Sequence, residues 1–382
     1  MLHSRATAFA LSLALAGPAL SQGQDEQEPP AAPPPTPQEE AAAAEPPAVE
    51  PPPPAEVAAG PAQGPGADRA FDWNRPDTLP PAGVRRYQDV PAGQWMFQLR
   101  YEHADRGELL DGEDELAPEQ VFTDYEVPYT ETGTSLTADG VGLELSWGWT
   151  DMWTVFLDVP FTSKEMDNVT DTGATYTTES GGIGDVQLGV IGHWLERQGQ
   201  RGRFNLGLSL PTGSTDEEDK DATGTTVKLP YVMQSGSGTV DFVPGFTYIA
   251  QYDGWSWGAA GQWRIHINTN SDGYAPGDRG ELDAWIAKRF SRRVGGSARI
   301  GASSWGDYHG ADPDIDRLAS PLNEPGRQGG DRADAALGLN WFLSDDRLRA
   351  LSLEVGAPLY QWLDGPQLGA EWFLSFGWRH SF

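Results

Sequence analysis

The sequence has 382 residues, no cysteine and a formal net charge of -30 at pH 7. This acidic balance argues against nucleic acid as a partner, because neutralising phosphates requires clustered lysine and arginine. The lack of cysteine excludes a disulfide framework and thiolate-ligated metals, and no apolar run beyond residue 20 is long enough for a transmembrane helix.

Residues 1–21 have the layout of a secretory signal peptide. His3 and Arg5 precede an alanine- and leucine-rich run over residues 6–16, and small residues follow just before Gln22. We expect cleavage near Gln22, which would place the mature chain beyond the inner membrane. The alternative is an ordinary buried N-terminal helix.

Residues 22–66 consist mainly of proline, alanine and glutamate, with almost no bulky apolar side chain to offset chain entropy. They predict a disordered periplasmic linker, either a spacer that contacts the cell wall or a flexible acidic tail without a specific partner. Residues 67–93 place Phe71, Trp73 and Tyr87 among turn residues, and predict either a periplasmic lead-in or a partial plug.

From residue 94 onwards, apolar and polar residues alternate in segment after segment, as strands with one apolar face require. Trp95, Phe97, Leu99 and Tyr101 share one parity, for example, in residues 94–103. The pattern recurs over residues 141–149, 153–161, 185–195, 204–211, 239–252, 255–266, 282–290, 294–303, 333–343, 348–359 and 368–382. These segments predict an all-β protein, a transmembrane antiparallel up-and-down β-barrel of about twelve strands over residues 94–382.

The links between the strands alternate in length, as in bacterial outer-membrane barrels. Short links are expected at residues 150–151, 196–202, 253–254, 291–293 and 344–347, and long acidic ones at residues 104–139, 162–184, 212–238, 267–280 and 306–331. A brief outer loop is expected at residues 360–367. An even strand count would put both termini in the periplasm.

The last strand resembles the closing strand of bacterial outer-membrane barrels, because its alternating aromatics end on Phe382. In those proteins this ending is the assembly signal, so the resemblance implies the barrel-assembly machinery as a partner. We expect the strand to pair with the first strand, since closure leaves no free edge.

Tryptophans near the short links predict an aromatic girdle in contact with outer-membrane lipids. The members share the apolar parity and are Trp95, Trp149, Trp153, Trp194, Trp255, Trp257, Trp341 and Trp378. A soluble β-sandwich has no reason to gather its tryptophans in this way.

The opposite parity collects polar and charged side chains of both signs, which we expect to line the lumen. They are Arg100, Glu102, Glu144, Asp158, Asp185, His193, Asp241, Arg264, His266, Asp283, Arg299, Asp334, Asn340, Glu354 and Arg379. For about twelve strands we favour a narrow or gated path. The alternative is a barrel closed by its own side chains.

One pair of these residues can be placed by register. Asp253-Gly254 is a strong signal for a tight hairpin, and counting back from it sets Asp241 about opposite His266. A carboxylate beside a histidine invites a hydrolase interpretation, but no G-x-S-x-G nucleophile motif occurs. We therefore expect no catalytic residue and no enzyme activity.

Acidic runs at residues 111–115, 216–221 and 312–316 lack the EF-hand spacing. No phosphate loop, dinucleotide fingerprint or zinc spacing is present either. We expect neither a metal site nor a cofactor.

Several stretches resemble the meta-pathway phenol-degradation family of outer-membrane barrels. They are SGGIGDVQLGVIGHWL (180–195), LGLSLPTGS (206–214), SGSGTVDFVPGFTY (235–248), GADPDIDRLASPL with GGDRADAALGLNWFL (310–343) and APLYQWLDGPQLGAEW (357–372). The first strand matches less well. The resemblance implies passage of small, aromatic or hydrophobic molecules.

We therefore predict an outer-membrane channel or transporter for small molecules. The alternatives are an outer-membrane lipid hydrolase and a structural barrel that tethers the envelope through its linker.

Overall fold

The computed structural model describes residues 71–86, 88–127 and 129–382. The predicted signal peptide and linker, and Tyr87, lie outside the described residues. No helix among the described residues is long and apolar enough to cross a bilayer.

Eleven extended elements form one antiparallel sheet in which each pairs with its neighbour in the chain. They are β1 (Trp95–Gly112), β2 (Glu131–Gly148), β3 (Trp153–Thr170), β4 (Val186–Arg197), β5 (Gln200–Leu210), β6 (Asp241–Tyr252), β7 (Trp255–His266), β8 (Arg279–Arg289), β9 (Val294–Trp305), β10 (Gly330–Phe342) and β11 (Arg349–Ser381). Short strands Asp114–Leu116 and Thr175–Ile183 extend the sheet beside β1 and β3.

The element β11 crosses the barrel twice. Residues 350–363 pair with β10 and residues 363–381 pair with β1, and both pairings are antiparallel, so the chain reverses near Gly365. The predicted count of about twelve strands is confirmed, because ten elements cross once and β11 crosses twice.

The predicted pairing of the first and last strands is also confirmed, with Met96 opposite Ser381. At this seam the Trp95 backbone N–H donates to the main-chain oxygen of Phe382 at 2.8 Å, and the Phe382 N–H donates to the carbonyl of Trp95 at 2.9 Å. The sheet is thus a closed barrel.

The barrel has two unlike ends. The links after β2, β4, β6, β8 and β10 are short and lie at the same end as Trp95 and Phe382, which we call the turn end. The long links lie at the opposite, loop end. They carry the helix Pro118–Thr123, the 3-10 helices Tyr231–Met233, Pro321–Asn323 and Pro325–Arg327, and the small strand pairs Glu218–Lys220 with Thr226–Lys228 and Tyr274–Ala275 with His309–Gly310.

Three predicted loops were placed wrongly at this end. Strands β1 and β2 continue far into residues 104–139, strand β3 continues into residues 162–184, and residues 360–367 belong to β11. The reason is physical. A hydrogen-bonded ladder continues where neither face is apolar, so alternation ends before the strand does.

An inner segment, residues 71–93 without Tyr87, precedes β1 and lies inside the turn half of the barrel. Its Phe71, Leu79 and Val84 pack with inward-facing apolar side chains of the wall, which are Ile249, Ala260, Trp285, Ala287, Phe342 and Ala350. Burying a side chain such as Leu79, 1% exposed, contributes about 1.5–3 kcal/mol. This apolar contact positions the segment.

Glycine lets the inner segment approach the wall closely at one point. A Cβ atom on Gly83 would lie 2.8 Å from Oε1 of Glu354 and 3.0 Å from Nη2 of Arg299. Any larger residue would displace these two charged groups.

Candidate functional site in the barrel lumen

The outer surface of the barrel is apolar. Large aliphatic side chains that would form the core of a soluble domain are exposed here; Leu206 is 42% exposed, Ile286 50% and Leu337 67%. Six of the predicted girdle tryptophans are 39–60% exposed, and Trp153 and Trp378 are half-buried. Sequence reasoning missed Trp263 and Trp362, which are exposed nearer the loop end.

Ion pairs cross the lumen at the level of the inner segment. Arg100 approaches Asp158 at 3.0 Å and Glu144 at 3.5 Å, and Arg86 of the inner segment reaches the same Asp158 at 3.2 Å. Arg85 pairs with Glu102 at 2.5 Å. The segment therefore completes the charge balance of the wall.

A second network lies on the other side of the inner segment. Arg299 bridges Asp283 at 2.6 Å and Glu354 at 2.5 Å, and Glu354 is fully buried. The Asn340 amide donates to the carbonyls of Leu79 and Pro80 at 2.6 and 3.2 Å. The wall thus binds both the backbone and the side chains of the segment.

Asp89 attaches the end of the inner segment to the wall. It contacts Nη2 of Arg203 at 2.6 Å and Nε2 of His193 at 3.0 Å, while Glu196 approaches the other ring nitrogen of His193 at 3.3 Å. Burial raises the pKa of Asp89, but the hydrogen bond from His193 and the charge of Arg203 outweigh it and lower that pKa to about 2. Arg379 donates to Gln88 nearby.

The predicted register at the hairpin is confirmed. Asp241 lies directly opposite His266, and Asp253 and Gly254 adopt the positive φ angles of a tight hairpin, 33° and 83°. Asp241 is nevertheless held by Arg264 at 2.6 Å, whereas its carboxylate is 3.8 Å from the His266 ring.

The remaining predicted lumen residues lie near the loop end. Asp185 accepts hydrogen bonds from the Ser237 hydroxyl at 2.6 Å and the Gly213 N–H at 3.0 Å. Asp334 pairs with Arg332 at 3.0 Å.

Two cavities lie in line along the barrel. The lower cavity, about 370 Å³, is bounded by Gly83, Val84 and Arg85 of the inner segment. The upper cavity, about 430 Å³, lies beneath the loops that carry Tyr231 and Tyr308. Both are lined by the same three arginines, Arg264, Arg279 and Arg332, which mark the boundary between the cavities.

Sequence reasoning missed several of these basic residues. Arg106 and Lys164 fall in stretches that were predicted to be loops, and Arg279 and Arg332 precede the predicted starts of their strands. The signal that was available is their parity, because each continues the inward-facing set of its strand.

The links at the loop end pack on one another above the upper cavity. Tyr231, Tyr274 and Tyr308 form an aromatic cluster with ring centroids 4.9–5.9 Å apart. Lys228 contacts Asp312 at 2.7 Å and Asp216 at 2.8 Å. Among the described residues, no group of three or more histidine or acidic side chains is arranged to hold a metal ion.

A sequence model of the family described as "Putative MetA-pathway of phenol degradation" matches residues 74–320. The match begins in the inner segment and includes β1, where the resemblance of motifs is weakest. A search of curated sequences finds no match.

Among solved structures, an outer-membrane channel from Pseudomonas putida F1 gives a TM-score of 0.52 at 13% identity, over 78% of this chain and 99% of that chain. This likeness supports the fold. The P. putida toluene transporter TodX gives a TM-score of 0.39 at 8% identity, over 76% and 90% of the two chains.

Proposed function

The chain belongs to the family described as "Putative MetA-pathway of phenol degradation", and we propose that it forms a channel of the bacterial outer membrane for small, aromatic or hydrophobic molecules. One observation carries this proposal: a closed barrel, apolar outside, encloses two polar cavities in line that share Arg264, Arg279 and Arg332. The neighbour from P. putida F1, described as an outer-membrane channel, is consistent with it.

The exposed apolar wall supports placement in a membrane. Soluble proteins rarely expose contiguous apolar patches of more than a few hundred Å², whereas a membrane barrel presents such a band to lipid between aromatic girdles. In our proposal the turn end faces the periplasm, the loop end faces outwards, and both termini are periplasmic.

The inner segment closes the turn half in this conformation. Its contacts with Asp158, Asn340 and Arg203 join it to three separate strands, so a solute in the lower cavity has the segment below it. We propose that the segment is a plug whose release opens the path.

The hydrolase alternative receives less support. Asp241 is paired with Arg264 rather than with His266, and Ser237 donates to Asp185. Within the described part of the chain, no serine hydroxyl is hydrogen-bonded to His266. The tethering alternative depends on residues 22–66.

The channel is tested by planar-bilayer conductance and by uptake of a small aromatic alcohol into liposomes. Ser303 lines the lower cavity, whereas the adjacent Ser304 is exposed on the outer face. Ser303→Trp should reduce both signals at least severalfold, and Ser304→Trp should leave them unchanged. Absence of conductance and uptake in the wild-type protein would refute the channel.

A further inference from the structure

The upper cavity has a cationic wall within a strongly acidic protein. A single carboxylate, that of Asp185, faces five basic side chains, which are Arg106, Lys164, Arg264, Arg279 and Arg332. The Asp185 carboxylate already accepts hydrogen bonds from Ser237 and Gly213. In contrast, the lower cavity has five arginines and four carboxylates. The excess of basic over acidic side chains is therefore larger in the upper cavity than in the lower one.

Two of these arginines are bound through Nε, which leaves their terminal Nη groups available. Arg279 donates through Nε to Glu281 at 2.7 Å, and Arg332 donates through Nε to Asp334 at 3.2 Å. Among the described residues, the terminal Nη groups of both have no hydrogen-bond partner. A guanidinium fixed through Nε is preorganised to donate through Nη to an oxyanion.

The Arg106 side chain has neither an ion pair nor a hydrogen bond to any described residue. It is half-buried on β1 and shares the cavity with the like charges of Arg279 and Arg332. Enclosing a charge without a partner is costly. An anion in the cavity would offset this cost for Arg106 and would reduce the repulsion between Arg106, Arg279 and Arg332.

Aromatic rings line the same cavity. The Arg279 guanidinium lies 4.9 Å from the ring centre of Trp305, and Tyr231 and Tyr308 pack edge to face with centroids 4.9 Å apart. Burial raises the pKa of Tyr308 to about 12, so its phenol stays neutral and does not compensate the arginines.

We propose that the upper cavity binds a small aromatic carboxylate, with the carboxylate between Arg106, Arg279 and Arg332 and the ring against Trp305 and Tyr308. The cavity, about 430 Å³, lies within the range of small-molecule sites. This inference rests on the proposed function in that it names the solute of the channel, but binding itself requires no transport.

The test is ¹⁹F NMR line broadening of 4-fluorobenzoate with the full-length protein in detergent micelles. Arg106→Gln removes a charge that has no partner to strand, so the barrel should fold, as checked by its faster gel migration before boiling. Arg292→Gln, at an exposed turn-end position, is the matched control. We expect at least tenfold weaker binding to Arg106→Gln, unchanged binding to Arg292→Gln, and weaker binding as salt is raised.

Two further probes test the chemical class. Neutral 4-fluorobenzyl alcohol should bind at least tenfold more weakly than the acid, and inorganic phosphate or succinate should compete poorly. Equal binding to Arg106→Gln, or equal binding of the alcohol, would overturn the anion site. Effective competition by succinate would overturn the role of the aromatic rings. Failure of conductance alone would refute the channel and leave this binding result intact.

Discussion

Asp89 of the inner segment and Arg203 of the wall form an ion pair with 2.6 Å between Oδ1 and Nη2. The Arg203 side chain is 2% exposed and that of Asp89 20%, so the pair is largely removed from water. Asp89 precedes the first strand by six residues, and the pair therefore fixes the segment close to where the wall begins.

Asp89→Asn should loosen the inner segment. The substitution keeps the shape but removes the charge, and leaves Arg203 buried without its carboxylate, which destabilises the contact. We expect more frequent or longer openings in planar-bilayer recordings. Asp345→Asn, at an exposed turn-end residue paired with Arg293, should behave as wild type. Identical gating in both variants would argue against the segment as a plug.

Acid should release the same contact, but only at low pH. Because the pKa of folded Asp89 is about 2, below its ordinary 3.8, the contacts of its carboxylate with His193 and Arg203 contribute their full stability above about pH 4, together equivalent to about 2 kcal/mol. This contribution is lost as the pH falls towards 2. The measured quantity is the difference in open probability between wild type and Asp89→Asn. This difference should be constant from pH 7 to 5 and should become smaller below pH 4. A transition between pH 5 and 7 would contradict the assignment to Asp89.

Arg299→Met should destabilise the turn half of the barrel. It would leave Asp283 and the fully buried Glu354 without their shared cation, at a cost of about 3–5 kcal/mol. We expect a lower temperature for the loss of the folded gel band. The double variant Arg299→Met, Glu354→Gln should recover part of the loss. If the single substitution were neutral, the bridge would have no structural role.

Removal of Phe382 should impair assembly rather than solute preference. The residue makes both seam hydrogen bonds with Trp95, so its loss opens the end of the closing pair. The expected result is less protein in the membrane fraction, with unchanged selectivity in the barrels that do form. Phe382→Tyr keeps the aromatic end and should assemble normally. Full assembly of the truncated chain would contradict the role of the terminal residue.

The barrel was predictable because its wall obeys a local rule. One face of each strand contacts an apolar environment, so apolar and polar residues alternate along the strand. The sequence therefore predicts which face residues such as Leu157 and Asp158 occupy. The tight hairpin at Asp253 and Gly254 fixed one register without any tertiary information.

The place of the inner segment was not predictable in the same way, because Phe71 and Leu79 lie in a turn-rich stretch without periodicity. The signal that was available lay in the strands: Trp285 and Ile249 are bulky apolar residues with the inward parity, which is unexpected for a water-filled lumen. Both are buried. Arg106 was missed because β1 continues beyond the residues whose apolar alternation predicted the strand.

The seam between Trp95 and Phe382 also constrains the order in which the molecule is built. The inner segment comes before the first strand in the chain, yet it ends up surrounded by all the others. The inner segment need not be threaded into a finished barrel, provided that the strands assemble around it and the first and last strands pair last. The inner segment can therefore act as a template for the strands, and the pairing of Trp95 with Phe382 closes the sheet around it.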